Sequence, residues 1–469
     1  MKSQAPRVAL VHDFLLDLRG GERVFLALCE MFPDADLFTA VYDPVGTEGR
    51  FAHRTVHTSF LQRLHPNATS FRRLLPLYPY AMEALDLSRY DLVLSSSSAW
   101  AHGVLPSEDA VHVCYCHNPF RYAWNAREAT LRAHGPVVRG ALGLVLQRWR
   151  QWDWIAAQRV DRYIANSETT RRRVARYFTR EAEVVYPPVE IERFAPGVVG
   201  DQYAVLSELM PHKRIELAVR AFNQLGRPLV VIGDGPDARR LQRMAGPTVH
   251  FTGRVGDAEV ARLLATSRAL VVTATEEFGI AAVEAQAAGR PVIALDEGGV
   301  TESVEEGRTG VFYDEATPEA LAAAVSAFDP LSVDPADCVA NAQRFSRAAF
   351  EAEIRANVEQ ALAAGPSPRG DRRRPARGLA LAGRRAACGS PSSSPTGTGA
   401  AGCPVWSPPC GPRPGPPTGS SSSTTARVTT PWPGCAPRAS TSSRARPPAG
   451  SPRRSTSASR RSPTASSSR

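Results

Sequence analysis

The chain has 469 residues, 43% of them hydrophobic, with 56 basic and 46 acidic side chains for a net charge of +10. Seventeen of those bases and one acid lie from Pro366 onward, leaving 39 bases and 45 acids before it. The body is therefore mildly acidic and long enough for two sizeable domains, and its charge gives no support to nucleic-acid binding. No apolar run approaches the ~20 residues a bilayer-spanning helix needs, and no secretory leader is expected ahead of the first strand. Cys29, Cys114, Cys116 and Cys338 fall in apparent elements without a disulfide or zinc spacing, so a reducing, cytoplasmic setting is the expectation.

Residues 8–11 (V-A-L-V) predict a first strand, and a helix is expected over 22–31. Gly20 and Gly21 sit between them, where a bare backbone can approach a ligand and aim N–H groups at it. A tight turn with no ligand explains them equally well, and the dinucleotide signature G-x-G-x-x-G is absent here. Asp34 and Asp36 form a D-x-D pair, read as solvated turn residues. Strands follow at 91–94 and 111–116, the second running into C-H-N-P-F-R-Y-A-W. His117 stands where that strand ends, able to face a cleft and exchange a proton near neutral pH.

Residues 139–161 predict a helix carrying Trp149, Trp152 and Trp154 among Arg148, Arg150 and Arg159. Its aromatic and basic face suits either core packing or an anionic membrane surface. A strand at 161–165 leads to Ser167, an N-cap for a helix over 168–177. Pro187-Pro188 then ends regular structure, and a hinge is expected between Pro187 and Asp201. The alternation restarts with strands at 203–207, 228–233 and 249–253, helices between them, and a final amphipathic segment at 344–363. Two doubly wound parallel α/β units facing a cleft are the architecture this predicts.

The stretch from Thr275 to Val300 concentrates the chemistry. A strand at 268–273 runs into an acidic turn, Gly279, an alanine-rich helix over 280–288 and a strand at 291–295. Glu276 on the loop and Glu284 a turn into the helix each accept two hydrogen bonds in one plane, which suits a vicinal diol. The free N–H groups of Phe278, Gly279 and Ile280, at a positive helix end, suit a phosphate. Diol acceptors flanking an anion site describe a sugar nucleotide, although two solvated surface glutamates beside an ordinary turn fit the spacing alone.

Taken together, V-H-D-F, R-G-G-E-R-V, C-Y-C-H-N-P-F-R-Y-A-W, R-V-D-R-Y-I-A-N-S, H-K-R-I-E-L-A-V, V-I-G-D-G-P and E-E-F-G-I-A-A-V-E-A-Q-A-A-G-R-P-V resemble the retaining glycosyltransferases of family 4 over about residues 8–363. Within that family the likeness is to bacterial mannosyltransferase-like members of O-antigen, capsule or exopolysaccharide assembly. The resemblance implies the GT-B fold, with two Rossmann-like domains at 1–195 and 196–345, a C-terminal helix at 346–364 and a low-complexity tail at 365–469. The tail's Pro/Ser/Arg/Gly/Ala bias reads as disorder or out-of-frame translation.

By position, the resemblance places Glu276 at the donor sugar's hydroxyls and Glu284 at the ribose. Lys213 and Arg214 fall at the diphosphate, with Gly298, Gly299 and Val300 beside them and Gly20 and Gly21 opposite. Gly253, Arg254 and Val255 fall at the base, and His117 near the reacting carbon. The implied activity is transfer of a sugar, best mannose from GDP-mannose, to a lipid-linked or oligosaccharide acceptor, with peripheral membrane contact, no cofactor and no metal. One departure is Glu208, where relatives often carry arginine; either Arg214 compensates or Glu208 points away. Alternatives are a UDP-sugar-dependent transferase of the same family, an epimerase or phosphorylase on the same architecture, and a non-catalytic nucleotide-sugar-binding scaffold.

Overall fold

The computed structural model describes residues 6–67 and 70–366, so the expected low-complexity tail lies, from residue 367, outside the described residues. Seven strands form the first sheet: β1 (Val8–His12), β2 (Asp36–Thr39), β3 (Val56–Thr58), β4 (Leu92–Ser97), β5 (Val111–Cys116), β6 (Arg162–Ala165) and β7 (Ala182–Val184). Their order is β3-β2-β1-β4-β5-β6-β7, and every pairing is parallel. A second parallel sheet takes β8 (Tyr203–Leu206), β9 (Leu229–Ile232), β10 (Val249–Gly253), β11 (Leu270–Val272), β12 (Val292–Leu295) and β13 (Gly310–Tyr313), in the order β10-β9-β8-β11-β12-β13. Strands such as L-V-V-I and V-I-A-L are apolar throughout because helices cover both faces of such a sheet.

Each sheet reverses direction beside its first strand, between β1 and β4 and between β8 and β11. Ligands of doubly wound sheets bind at the carboxyl ends of the strands at such a reversal. The loops leaving β1, β5, β8 and β11 carry Gly20, His117, Lys213 and Glu276. Sequence reading gave no bounds for β2 and missed the short edge strand β3 and the helix Pro335–Ala342. Asp36 is also not a solvated turn residue: it opens β2 and accepts a 2.6 Å hydrogen bond from Tyr90 Oη.

The chain passes from one core to the other ahead of the boundary expected at 195. Val185 packs in the first core, whereas Val189, Ile191 and Phe194 belong to the second. The chain returns beside its own crossing, where Val189 N–H donates to the Phe345 carbonyl at 2.9 Å. The helix Arg347–Ala364 then lays Phe350, Ile354, Val358 and Ala361 into the core of the first half, against Leu10, Phe25 and Tyr115. Its outer edge is tied down by Arg162, which donates to Asn357 at 2.7 Å and to Gln360 at 2.9 Å. The last described helix thus completes the first domain.

The helix expected over 139–161 runs over Pro136–Ala157. Trp149 and Trp152 pack edge-on and tilted against the buried Trp100, and Trp152 Nε1 donates to Glu83 at 2.9 Å. Those two tryptophans are partly buried and pack against the core of the first half. The exposed apolar face lies earlier on the same helix, at Val137, Val138 and Leu144.

Candidate active site

Two helix N-termini face each other across the gap between the halves. The helix Gly20–Met31 begins directly after β1's loop, two residues earlier than the sequence pattern predicts, so Gly20 and Gly21 are its first turn. A methyl group on Gly20 would stand 3.3 Å from Ile280 Cδ1, the first residue of the helix Ile280–Ala287. A larger residue there would have to push the Ile280 side chain aside by a few tenths of an ångström. The free N–H groups of both first turns and their positive dipole ends point toward a shared space.

Gly279 caps the second of these helices at φ +92°, a conformation few other residues adopt. The loop beside it is pinned by Gly299, whose N–H donates to the Glu276 carbonyl at 2.8 Å. A side chain on Gly298 or Gly299 would collide with the carbonyls of Glu276 and Glu277. Val300 starts a short buried helix, and the Phe278 ring is itself core, against Tyr186 and Phe345. Phe278 therefore has only its backbone to offer the cleft.

Lys213 comes from the turn after β8 and places Nζ 2.6 Å from Glu276 Oε2. Its own carbonyl accepts from Thr273 Oγ1 at 2.8 Å, which locks the β8 turn to the end of β11. Arg214 follows at φ +51° and makes no ion pair among the described residues. Glu208 neither points away nor leans on Arg214. Arg19, from the opposite half, takes it at 3.0 Å.

Glu284 lies one turn into its helix, with Arg23 of the first half and Arg193 of the second nearby, both engaged by Asp257. Burial raises its carboxyl to about 7, and the acids Asp257 and Glu190 add to that against the two arginines. Arg254, expected at the base, is held by Asp17 at 3.0 Å and Glu48 at 3.2 Å, both in the first half. Gly253 stands at φ +69°, and Val255 packs at the edge of the second core.

His117 does end β5, and its Nε2 lies 2.8 Å from Ser96 Oγ. Burial, and then the neighbouring His12 ring, push its imidazole down to about 3 against the pull of Asp13 and Glu277. That differs from the expected proton exchange near neutral pH, because burial and the His12 ring keep the imidazole neutral there.

Sequence reasoning passed over several groups around this site. Asp13, wholly buried, accepts the backbone N–H groups of Ser98, Ala99, Trp100 and Ala101 and so shapes the loop after β4. Glu277, adjacent to Glu276, takes Arg121 at 2.8 Å and Arg173 at 3.4 Å from the first half. Burial alone would raise its carboxyl, but Arg121, Lys213 and Arg173 hold it below the ordinary glutamate value. The Glu276-Glu277 pair is a visible signal that two neighbouring acids face different partners, because successive loop residues point apart.

Family models match both halves: one described as Glycosyltransferase Family 4 over residues 18–193, the other as Glycosyl transferases group 1 over 202–328. Among curated relatives, a GDP-mannose-dependent alpha-(1-6)-phosphatidylinositol monomannoside mannosyltransferase of Mycolicibacterium smegmatis is 31% identical over 193 residues, 34% of this chain and 50% of the relative. A D-inositol 3-phosphate glycosyltransferase of Streptomyces scabiei is 28% identical over 204 residues, 36% of this chain and 46% of the relative. The matches thus span about half the length of these relatives. Among solved structures, the sucrose-phosphate synthase of Thermosynechococcus elongatus superposes with a TM-score of 0.61 at 19% identity, covering 76% of this chain and 100% of that one. Anabaena HepE in complex with UDP-glucose superposes at 0.56 and 17% identity, covering 75% and 99%. At these identities the structural likeness concerns the two-domain fold alone.

Proposed function

Because the chain belongs to glycosyltransferase family 4, with the GT-B fold, we propose that its cleft binds a nucleotide sugar and transfers the sugar with retention to a lipid-linked glycan in surface-polysaccharide assembly. The observation that carries this reading is the 2.6 Å contact between Lys213 and Glu276 at the space where two helix N-termini meet. A diphosphate entering that space supplies the anion for Lys213, and Glu276 is released to accept the hydroxyls of the attached sugar. As the bond to the sugar breaks, charge grows on the β-phosphate, and the ammonium and both sets of N–H groups are already aimed there. In this reading they carry the neutralisation, so chelators leave transfer intact.

Glu284 accepts the ribose diol. His117 lies on the far side of the sugar, with Gly21 directly over its ring. Same-face attack fits a site whose imidazole stays neutral and accompanies no obvious nucleophile. Mannose from GDP-mannose is the preferred donor, supported by the name of the M. smegmatis relative. The acceptor's lipid end and the membrane meet the exposed Val137, Val138 and Leu144, with Arg139 and Arg148 on the same helix to face anionic headgroups at the cytoplasmic surface.

The test is a panel of GDP- and UDP-sugars with the full chain and Glu276→Ala, followed by thermal shift and donor hydrolysis. GDP-mannose should stabilise the wild type most, and the variant should stay folded but lose turnover. A larger shift with UDP-sugars overturns the donor, and full turnover by Glu276→Ala overturns the site.

A further inference from the structure

Four side chains form a line from the cleft back into the first half. His117 Nε2 is 2.8 Å from Ser96 Oγ, which is 3.1 Å from His12 Nδ1, and His12 Nε2 is 4.0 Å from Glu22 Oε1. His12, Ser96 and Glu22 are buried, and the His12 ring stacks on Phe25 at 4.8 Å between centroids. The second oxygen of Glu22 accepts the Arg19 N–H at 3.1 Å, so this carboxylate also caps the helix that carries Gly20 and Gly21. The ring of His117 makes no other hydrogen bond among the described residues, which leaves Nδ1 for a ligand.

Resting on the reading of His117 as a group beside the transferred sugar, we propose that Glu22, acting through His12 and Ser96, fixes His117 as the Nε2–H tautomer and offers its Nδ1 to a sugar hydroxyl. Glu22, His12 and Ser96 are then positioning residues for transfer. A neutral imidazole carries one N–H, and a serine hydroxyl has one proton to give. The Glu22 carboxylate draws the His12 proton to Nε2, which leaves Nδ1 bare. Ser96 must donate to that bare nitrogen, so its lone pair is what His117 meets. His117 Nε2 therefore carries the hydrogen, and Nδ1 is an acceptor. An imidazole pushed down to about 3 accepts a hydroxyl's hydrogen bond without removing its proton, so the arrangement orients a hydroxyl and does not ionise it.

The full chain with 15N-labelled histidine, observed by two-bond 15N–1H correlation at pH 8, where imidazoles are neutral, reads the tautomer directly. His117 signals are assigned by their loss in His117→Asn. The wild type should show a protonated Nε2 and a bare Nδ1. Glu22→Gln keeps an oxygen for the Arg19 cap but sets an amide N–H near His12 in place of the carboxylate charge, which reverses the two hydrogen bonds through Ser96 and moves the His117 proton to Nδ1. Turnover should then fall by about 10–100-fold, the usual effect of losing such an outer partner, with donor KM changed less than threefold. Ser96→Ala breaks the line and should give a mixture of tautomers. The proposal is overturned by a wild-type Nδ1–H form, by an unchanged tautomer in Glu22→Gln, or by a switched tautomer with full turnover. The tautomer is read without any transfer taking place, so an error in the donor or acceptor assignment would not alter the spectrum.

Discussion

Arg19 Nη1 lies 3.0 Å from Glu208 Oε1, joining two halves through residues 189 positions apart. Arg19 also holds Asp17 at 3.1 Å, Asp17 holds Arg254 at 3.0 Å, and Arg254 reaches Glu48 at 3.2 Å. Charges of alternating sign thus cross the cleft repeatedly beside the anion site. Arg19→Ala leaves the Glu208 carboxylate uncompensated on the loop that leads to Lys213, so GDP should bind about fivefold more weakly, equivalent to about 1 kcal/mol, the upper range for an exposed pair. The Arg19→Ala/Glu208→Ala double variant should recover most of that loss. Calorimetric titration of the wild type and both variants decides it: a double variant as weak as Arg19→Ala denies the pairing any electrostatic role.

Glu284 makes a pH-dependent prediction. Its carboxyl sits at about 7 in the folded protein against the ordinary 4.5, so the native state holds a proton that the unfolded chain has released between those values. Stability contributed by that proton is present at low pH and lost as pH rises toward 7. Glu284→Gln carries no such loss, so its urea midpoint should exceed the wild type's at pH 8 and converge with it near pH 5. In the proposed site Glu284 accepts from both ribose hydroxyls and gives up its proton to do so, so nucleotide binding near pH 6 should release close to one proton in the wild type and none in the variant. Equal proton release in both would remove Glu284 from the site.

Much of this was readable in advance. The carboxyl ends of β5 and β10, the Ser167 cap and the helix Ile280–Ala287 fall at or within a residue of where periodicity and capping put them. These elements are short, bounded by strong breakers and apolar on the faces they bury. Arg254, Glu208 and Glu277 were not readable, because their partners Asp17, Arg19, Arg121 and Arg173 come from the other half, and local pattern carries no information about such pairings. The depressed basicity of His117 was equally hidden, since it depends on burial and on the His12 ring at the end of another strand. The domain boundary shifted for a related reason: Pro187-Pro188 marks an end of regular structure but not which core the next residues join.

Glu277 shows how these cross-cleft pairs differ in weight. Its side chain is mostly covered, and Arg121 and Arg173 converge on one of its oxygens from the first half. Glu277→Ala leaves two partly buried guanidinium groups facing each other, and removing one partner of a covered ion pair costs about 3–5 kcal/mol at the extreme. Residual solvent access should lower that to about 2 kcal/mol. The expected consequence is looser docking of the halves, seen as a larger radius of gyration in solution scattering and a lower Tm. Glu277→Gln, which retains an acceptor, should recover part of the Tm. An unaltered scattering profile in Glu277→Ala would show that these arginines do not hold the halves together.

Phe350 tests whether the returning helix belongs energetically to the first half. It is 2% exposed, lies edge-on to Tyr115 with ring centroids 5.7 Å apart, and shares its core with Leu10 and Phe25. Phe350→Ala should cost about 3–5 kcal/mol through lost burial and the cavity left behind. Five of the seven tryptophans, at 100, 124, 149, 152 and 154, lie in the first half, and Trp406 and Trp432 lie outside the described residues, so in a Trp406→Phe/Trp432→Phe background intrinsic fluorescence in urea follows that half. Its transition should move to lower urea with an unchanged slope, because a single helix from the far end of the sequence completes the core that those tryptophans report on. If the fluorescence transition stayed in place while ellipticity was lost early, the helix would be a detachable appendage, and the two halves would have to be treated as separately folding units.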